Sequence, residues 1–96
     1  MRRNNIYTAI DVGTSKVCTL IGRVDLLGSM EIIGLGLVPS KGMKKGMVSN
    51  LNEVFEATQE SIRQAEGDAG LRVHSANVGL TGSHIHSSNT IATLEN

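Results

Sequence analysis

The sequence predicts an α/β domain built in the order β-β-β-α-β, with one further strand behind it. Three observations carry this. Short β-rich runs separated by glycine-bearing turns fill the first part of the chain, the apolar spacing switches to a helical period after Asn50, and an apolar run returns at Val73 to Leu80. A helix between two strands ordinarily makes a crossover. The strand after the helix is therefore expected to lie parallel to the first strand.

The elements follow in order. Ile6 to Ile10 is short and rich in β-formers and reads as the first strand. Asp11 to Lys16 is polar with one glycine and reads as a turn. Val17 to Val24 is the second strand. Val17 and Ile21 fall on one side and Cys18 and Leu20 on the other, a pattern that fits burial on both faces of a central strand. Asp25 to Ser29, with Gly28, is a second hairpin turn, and Met30 to Val38 a third strand. Gly34 and Gly36 inside that strand mark a bulge or a close backbone approach. Pro39 to Asn50 reads as a loop. Leu51, Val54, Phe55, Thr58, Ile62 and Ala65 then share one helical face. Asn50 is placed as N-cap, Glu53 as its capping-box partner, and Gly67 or Gly70 as the stop. At ~1.5 Å per residue such a helix is about 24 Å long, enough to cross a sheet. Val73 to Leu80 is the fourth strand, Thr81-Gly82-Ser83 a turn, and His84 to Leu94 a weakly alternating last strand.

Composition sets limits on function. The 96 residues carry nine Lys and Arg against nine Asp and Glu, so no strong field exists to gather nucleic acid or an anionic membrane. Nucleic acid is not an expected partner. Tyr7 and Phe55 are the only aromatic residues, so the core must rest on Ile, Leu, Val, Met and Ala. Cys18 is alone and cannot form an intrachain disulfide, which suits a reducing cytoplasm. No apolar run approaches the ~20 residues of a membrane span, and no secretory leader follows the polar start. A soluble chain is expected.

The segment with chemistry is Asp11-Val12-Gly13-Thr14-Ser15-Lys16. A phosphate cradle needs backbone N–H groups converging on one concavity, and a glycine-bearing hairpin supplies them. Gly13 lacks the Cβ that would hold phosphate oxygens away. Thr14 and Ser15 add hydroxyl donors and Lys16 a positive charge. Asp11, closing the first strand, offers a carboxylate to a hydrated Mg²⁺, which prefers few carboxylates and keeps its waters. The competing reading is an ordinary β-turn, since Asp, Gly, Thr and Ser are turn residues anyway. If the fourth strand returns beside the first, the turns at Asp11 and Thr81-Gly82 share one sheet edge. Such a topological switch point is where open α/β sheets bind ligands.

Ala9 to Val17 resembles the phosphate-1 motif shared by actin, the heat-shock chaperones and the sugar kinases. Three further segments resemble the bacterial FtsA family in particular. These are Ile32-Ile33-Gly34-Leu35-Gly36 running into Pro39-Ser40-Lys41-Gly42-Met43-Lys44-Lys45-Gly46-Met47-Val48, the helix from Leu51 with Ala65-Glu66, and Val78-Gly79-Leu80-Thr81-Gly82-Ser83-His84-Ile85. The resemblance covers Ile6 to about Leu94. It implies an actin-like (ribonuclease H-like) subdomain, 1A, over residues 1–81. Residues 82–96 would then be the first strand of the inserted subdomain of the family, incomplete here. It also implies ATP and Mg²⁺ as cofactors of the complete protein, bound by Gly13, Thr14, Ser15 and Lys16 and, through water, by Asp11. The complete protein would self-associate. It would link FtsZ filaments to the cytoplasmic face of the membrane at the division septum, the membrane contact being a C-terminal helix absent here. The chain would be an N-terminal fragment carrying half a cleft, without useful ATP affinity of its own. No residue of it is assigned a catalytic role, and whether the complete protein hydrolyses ATP is left open. The alternatives are a fragment of a sugar or acetate kinase, or of a pilus-assembly ATPase. The Gly42-Met43 loop argues against a kinase.

Other candidates have plainer readings. Lys41, Lys44 and Lys45 form a loop cluster that is ordinarily just solvated, although in the family this loop lies near the nucleotide. His84 and His86 share a strand face, but no third ligand of metal-site spacing accompanies them, and His74 lies across a turn. Cys18 is expected to be a buried small hydrophobe. Glu53, Glu56 and Glu60, with Arg63, line a solvated helix face.

Overall fold

A computed structural model describes residues 5–80 and 90–95. Its elements are β1 (Asn5–Val12), β2 (Lys16–Val24), β3 (Met30–Pro39), β4 (Met43–Lys44), β5 (Met47–Val48), α1 (Leu51–Ala69), β6 (Ser75–Leu80) and β7 (Thr90–Glu95). Five strands form one mixed sheet in the order β3-β2-β1-β6-β7, and β4 and β5 form a separate ribbon. β1 pairs antiparallel with β2 and parallel with β6, while β2–β3 and β6–β7 are antiparallel. The domain is α/β, with a mixed sheet and one helix among the described residues. The turn expected at Thr81-Gly82-Ser83, and His84 and His86, lie outside the described residues.

Strand alternation selects the face that meets the helix. Thr8, Ile10 and Val12 of β1, Val17, Thr19 and Ile21 of β2, and Val38 of β3 are buried on one side of the sheet. Val54, Ala57, Ser61, Ile62 and Ala65 of α1 close over them, and α1 lies chiefly across β3 and β2. Each buried Val or Ile contributes about 1.5–3 kcal/mol by leaving water.

The helix face differs from the expected one. Leu51 and Phe55 are 71% and 59% exposed, and Ala57 and Ser61 take the inward positions. The cause lies in β3. A Cβ built on Gly36 would stand well under 3.0 Å from the Ser61 carbonyl oxygen, and one on Gly34 would stand 2.5 Å from that of Ala65. The helix rests on the bare backbone of β3, so the contact admits small side chains and rotates the large ones outward. Ser61 Oγ hydrogen-bonds Thr19 Oγ1 at 2.7 Å and donates to the Gly36 carbonyl at 3.2 Å, so this buried polar pair is satisfied. The two glycines therefore mark a close approach. The bulge falls between them and the start of the strand, where Ile21 pairs with Gly34 but Gly22 with Ile32.

The helix ends follow their sequence signals with one change. Asn50 Oδ1 accepts from the Glu53 N–H at 3.1 Å. The Asn50 N–H donates to the Gly42 carbonyl at 3.0 Å, so the loop, and not a capping-box glutamate, satisfies it. Gly70 is the left-handed C-cap at φ 73°, leaving Gly67 as an interior helical residue. A Cβ on Gly67 would meet nothing within 4 Å. Gly67→Ala is therefore expected to raise stability by about 1 kcal/mol, the helix-propensity difference. Urea denaturation monitored by circular dichroism checks this.

The segment expected to be a loop, 39–50, contains the β4–β5 ribbon. Lys45 at φ 53° and Gly46 at φ 77° make its two-residue turn, with both central residues left-handed as in the type I′ hairpin. Met43 is buried and pins the ribbon to the core. At the sheet edge, the Leu35 and Leu37 N–H groups donate to Asp68 Oδ2 (3.1 Å) and Gln64 Oε1 (3.0 Å). The helix thus blunts an edge strand that would otherwise be open to pairing. Among the described residues no helix is long and apolar enough to cross a membrane.

Candidate functional site

The connection between β1 and β2 is tighter than the sequence implied. β1 runs through Asp11 and Val12, which pair with Cys18 and Val17, and Lys16 already belongs to β2. The reversal is left to Gly13, Thr14 and Ser15. The Gly13 N–H donates to the Lys16 carbonyl at 2.9 Å, closing the turn. That N–H is taken up inside the hairpin, which leaves Thr14 and Ser15 as the residues at its tip. A Cβ on Gly13 would stand 3.1 Å from the Lys16 oxygen. Tight closure of the hairpin is thus one concrete reason for glycine here.

Thr14, Ser15 and Lys16 are exposed, and Val12 and Val17 are buried on either side. Two core anchors therefore hold a short polar tip in water. Asp11 is exposed and lies on the sheet face opposite α1, in register with Cys18 on one side and Gly79 on the other. Alternation puts Lys16 on that same face. The parallel pairing of β1 with β6 runs from Ala9 with Asn77 to Val12 with Leu80. Both strands therefore reach the same sheet edge, and the hairpin sits there.

Ser40 was not singled out from the sequence. Its N–H donates to the Ser15 carbonyl at 2.9 Å, which ties the start of the 39–50 segment to the hairpin. Its hydroxyl is the one buried side-chain polar atom without a hydrogen-bond partner among the described residues. The only signal in the sequence was its position in the Pro39-Ser40-Lys41-Gly42 stretch.

The remaining candidates separate from this edge. Lys41, Lys44 and Lys45 are exposed. Lys41 lines a surface groove with Val38, Pro39, Glu56, Ala57, Glu60, Arg63 and Gln64. Cys18 is half-buried instead of fully buried, because its side of β2 is not the side α1 covers. Arg63 pairs with Glu60 at 2.8 Å on the exposed helix face, as expected of a solvated surface. No group of three or more His, Cys, Asp or Glu residues suited to holding a metal occurs among the described residues.

Comparison with known proteins gives the context. No protein-family model matches the chain. The cell division protein FtsA of Pseudomonas aeruginosa is 41% identical over 90 residues, 94% of this chain and 22% of that protein. FtsA of Escherichia coli (strain K12) is 40% identical over 86 residues, 90% of this chain and 20% of that protein. FtsA of Borreliella burgdorferi is 35% identical over 86 residues, 90% of this chain and 21% of that protein. The chain thus spans about a fifth of the length of these relatives. Identity of this level, held over nine-tenths of the chain against each of the three proteins, marks this sequence as similar to one stretch of FtsA.

Proposed function

We propose that this chain is the phosphate-1 subdomain of an FtsA-type cell-division protein, an actin-like scaffold that binds ATP with Mg²⁺. The observation that carries the reading is the hairpin at residues 13–15. It stands at the edge where parallel β1 and β6 end together, in a sequence related to FtsA along nearly its whole length. Thr14 and Ser15 offer tip amides and hydroxyls to β- and γ-phosphate oxygens, and Lys16 adds charge. Asp11 lies in β1 just before the turn, and its carboxylate would hold a hydrated Mg²⁺ through water. Gly13 closes the hairpin.

The FtsA relation supports a wider role: coupling FtsZ filaments to the cytoplasmic face of the membrane at the septum, with self-association into filaments. Residues 1–81 are the actin-like subdomain in this reading, and 82–96 open the inserted one. The membrane-binding helix and the FtsZ contact belong to other parts of the polypeptide.

The hairpin is one wall of a nucleotide cleft. The 96-residue chain alone is therefore expected to show no ATP binding in a calorimetric titration. In the full-length protein carrying this sequence, Lys16→Ala is expected to weaken Mg·ATP about tenfold or more, the scale of a lost charge-assisted contact. Asp11→Asn should weaken ATP in the presence of Mg²⁺ more than in its absence. Unchanged Mg·ATP affinity in both variants, or tight binding by the 96-residue chain, would refute the assignment.

A further inference from the structure

The β2–β3 ladder continues past its last strand pair, Lys16 with Pro39. One residue further, the Ser40 N–H donates to the Ser15 carbonyl at 2.9 Å. Ser15 and Ser40 are therefore the next cross-strand pair, and they stand at the hairpin. Residues paired in this way carry Cβ atoms about 4.5–5.5 Å apart, and serine and threonine hydroxyls so placed hydrogen-bond one another. A turn between staggered χ1 rotamers is enough to bring the two oxygens together. The two side chains have different surroundings. Ser15 is exposed, whereas the Ser40 hydroxyl is buried with no hydrogen-bond partner among the described residues. A buried hydroxyl left unpaired costs stability, and an alanine would avoid that cost. Folding alone thus gives no reason for this hydroxyl, and the hairpin beside it does.

We propose that Ser40 is a positioning residue of the phosphate site. When the hairpin holds a nucleotide, the Ser40 Oγ–H donates to Ser15 Oγ, and the Ser15 Oγ–H donates to a phosphate oxygen. A serine hydroxyl has one proton to give and two lone pairs to receive with, so each member of this relay is satisfied. The charge on the phosphate strengthens the outer bond, and the inner bond polarises the hydroxyl that makes it. Ser40 itself touches no phosphate. The hydroxyl is a cost to the empty protein that is recovered when the site fills, the exchange of stability for function that binding sites make. The backbone link between Ser40 and Ser15 does not involve the side chain, so it persists when the hydroxyl is removed. This role rests on the nucleotide reading of the hairpin and extends that site to a residue beyond the Asp11–Lys16 segment.

The experiment uses the full-length protein carrying this sequence and takes two readings, the Mg·ATP affinity and the thermal midpoint without nucleotide. Ser40→Ala is expected to weaken Mg·ATP about fivefold, the effect of one hydrogen bond, while the midpoint stays level or rises. Ser15→Ala removes the middle of the relay, so adding Ser40→Ala to it should change the affinity no further. A residue with a purely structural part gives the opposite pattern. Its loss lowers the midpoint together with the affinity, and its effect adds in full to that of Ser15→Ala. Either result would overturn the proposal, and so would an undiminished affinity in Ser40→Ala. Lys16→Ala tells the two possible failures apart. If Lys16→Ala weakens Mg·ATP and Ser40→Ala does not, the positioning role alone falls. If neither does, the nucleotide reading falls and takes the role of Ser40 with it.

Discussion

Replacing Gly36 by alanine is expected to destabilise the domain by about 3 kcal/mol or more, a large share of the ~5–15 kcal/mol that holds a small domain folded. The added Cβ would meet the Ser61 carbonyl oxygen, the Ser61 carbonyl carbon and the Ala65 nitrogen, all at 3.0 Å or less. All three are helix backbone, so no flexible side chain can swing aside. The helix must lift from β3. Lifting it strains the Ser61 bonds to Thr19 and to the Gly36 carbonyl and opens the layer between Ala57, Ala65 and the sheet. Gly34→Ala should act in the same direction through Ala65 and Ala69. Urea midpoints from circular dichroism read the effect. A midpoint unchanged by Gly36→Ala would mean that α1 does not rest on β3.

Gly42→Ala is expected to cost about 2–3 kcal/mol for a different reason. Gly42 has φ 81°, a left-handed conformation that costs an L-residue about 1–2 kcal/mol. Its carbonyl accepts from the Ser49 and Asn50 N–H groups at 2.7 and 3.0 Å, and a Cβ there would strike the Asn50 carbonyl oxygen and crowd Glu53 and Val54. The residue thus closes the 39–50 segment onto the first turn of α1. Its loss should fray the helix start as well as lower the midpoint. Amide exchange at Asn50 to Val54 should accelerate in the variant, and exchange at unchanged rates would contradict the closure.

Most of the fold was legible because its signals are local. Glycine-bearing turns at Gly13 and Gly28, the change of period after Asn50 and a stop at Gly67 or Gly70 located the three hairpin strands and the helix, and the structure puts the stop at Gly70. The errors share a physical cause in long-range packing. Phe55 and Leu51 were placed inward because large apolar residues weigh most in a helical pattern. The glycine floor of β3, about fifteen to twenty residues earlier in the chain, admits small side chains instead. Cys18 and Leu20 were read as buried because β2 is apolar on both sides, yet α1 supplies cover for one. The β4–β5 ribbon escaped because two-residue strands show no alternation, and Lys44-Lys45-Gly46 reads as a charged loop until both turn residues prove left-handed.

The site was legible as a segment but not as a geometry. Asp11 and Gly13 to Lys16 were found from residue type and spacing, and the parallel return of β6 was expected from the helix between strands. That β1 continues through Asp11 and Val12 depends on their pairing with Cys18, Val17 and Gly79, which no local window contains. The same holds for Ser40, whose link to Ser15 spans the whole β2–β3 hairpin.

The most direct test is hydrogen–deuterium exchange on the full-length protein carrying this sequence, with and without saturating Mg·ATP, read at the peptide covering residues 11–18. Slower exchange at Thr14, Ser15 and Lys16, with residues 66–72 at the far end of α1 unchanged, is the predicted result. Saturation by ATP that leaves residues 11–18 exchanging at their original rate would place the phosphates elsewhere and contradict the account.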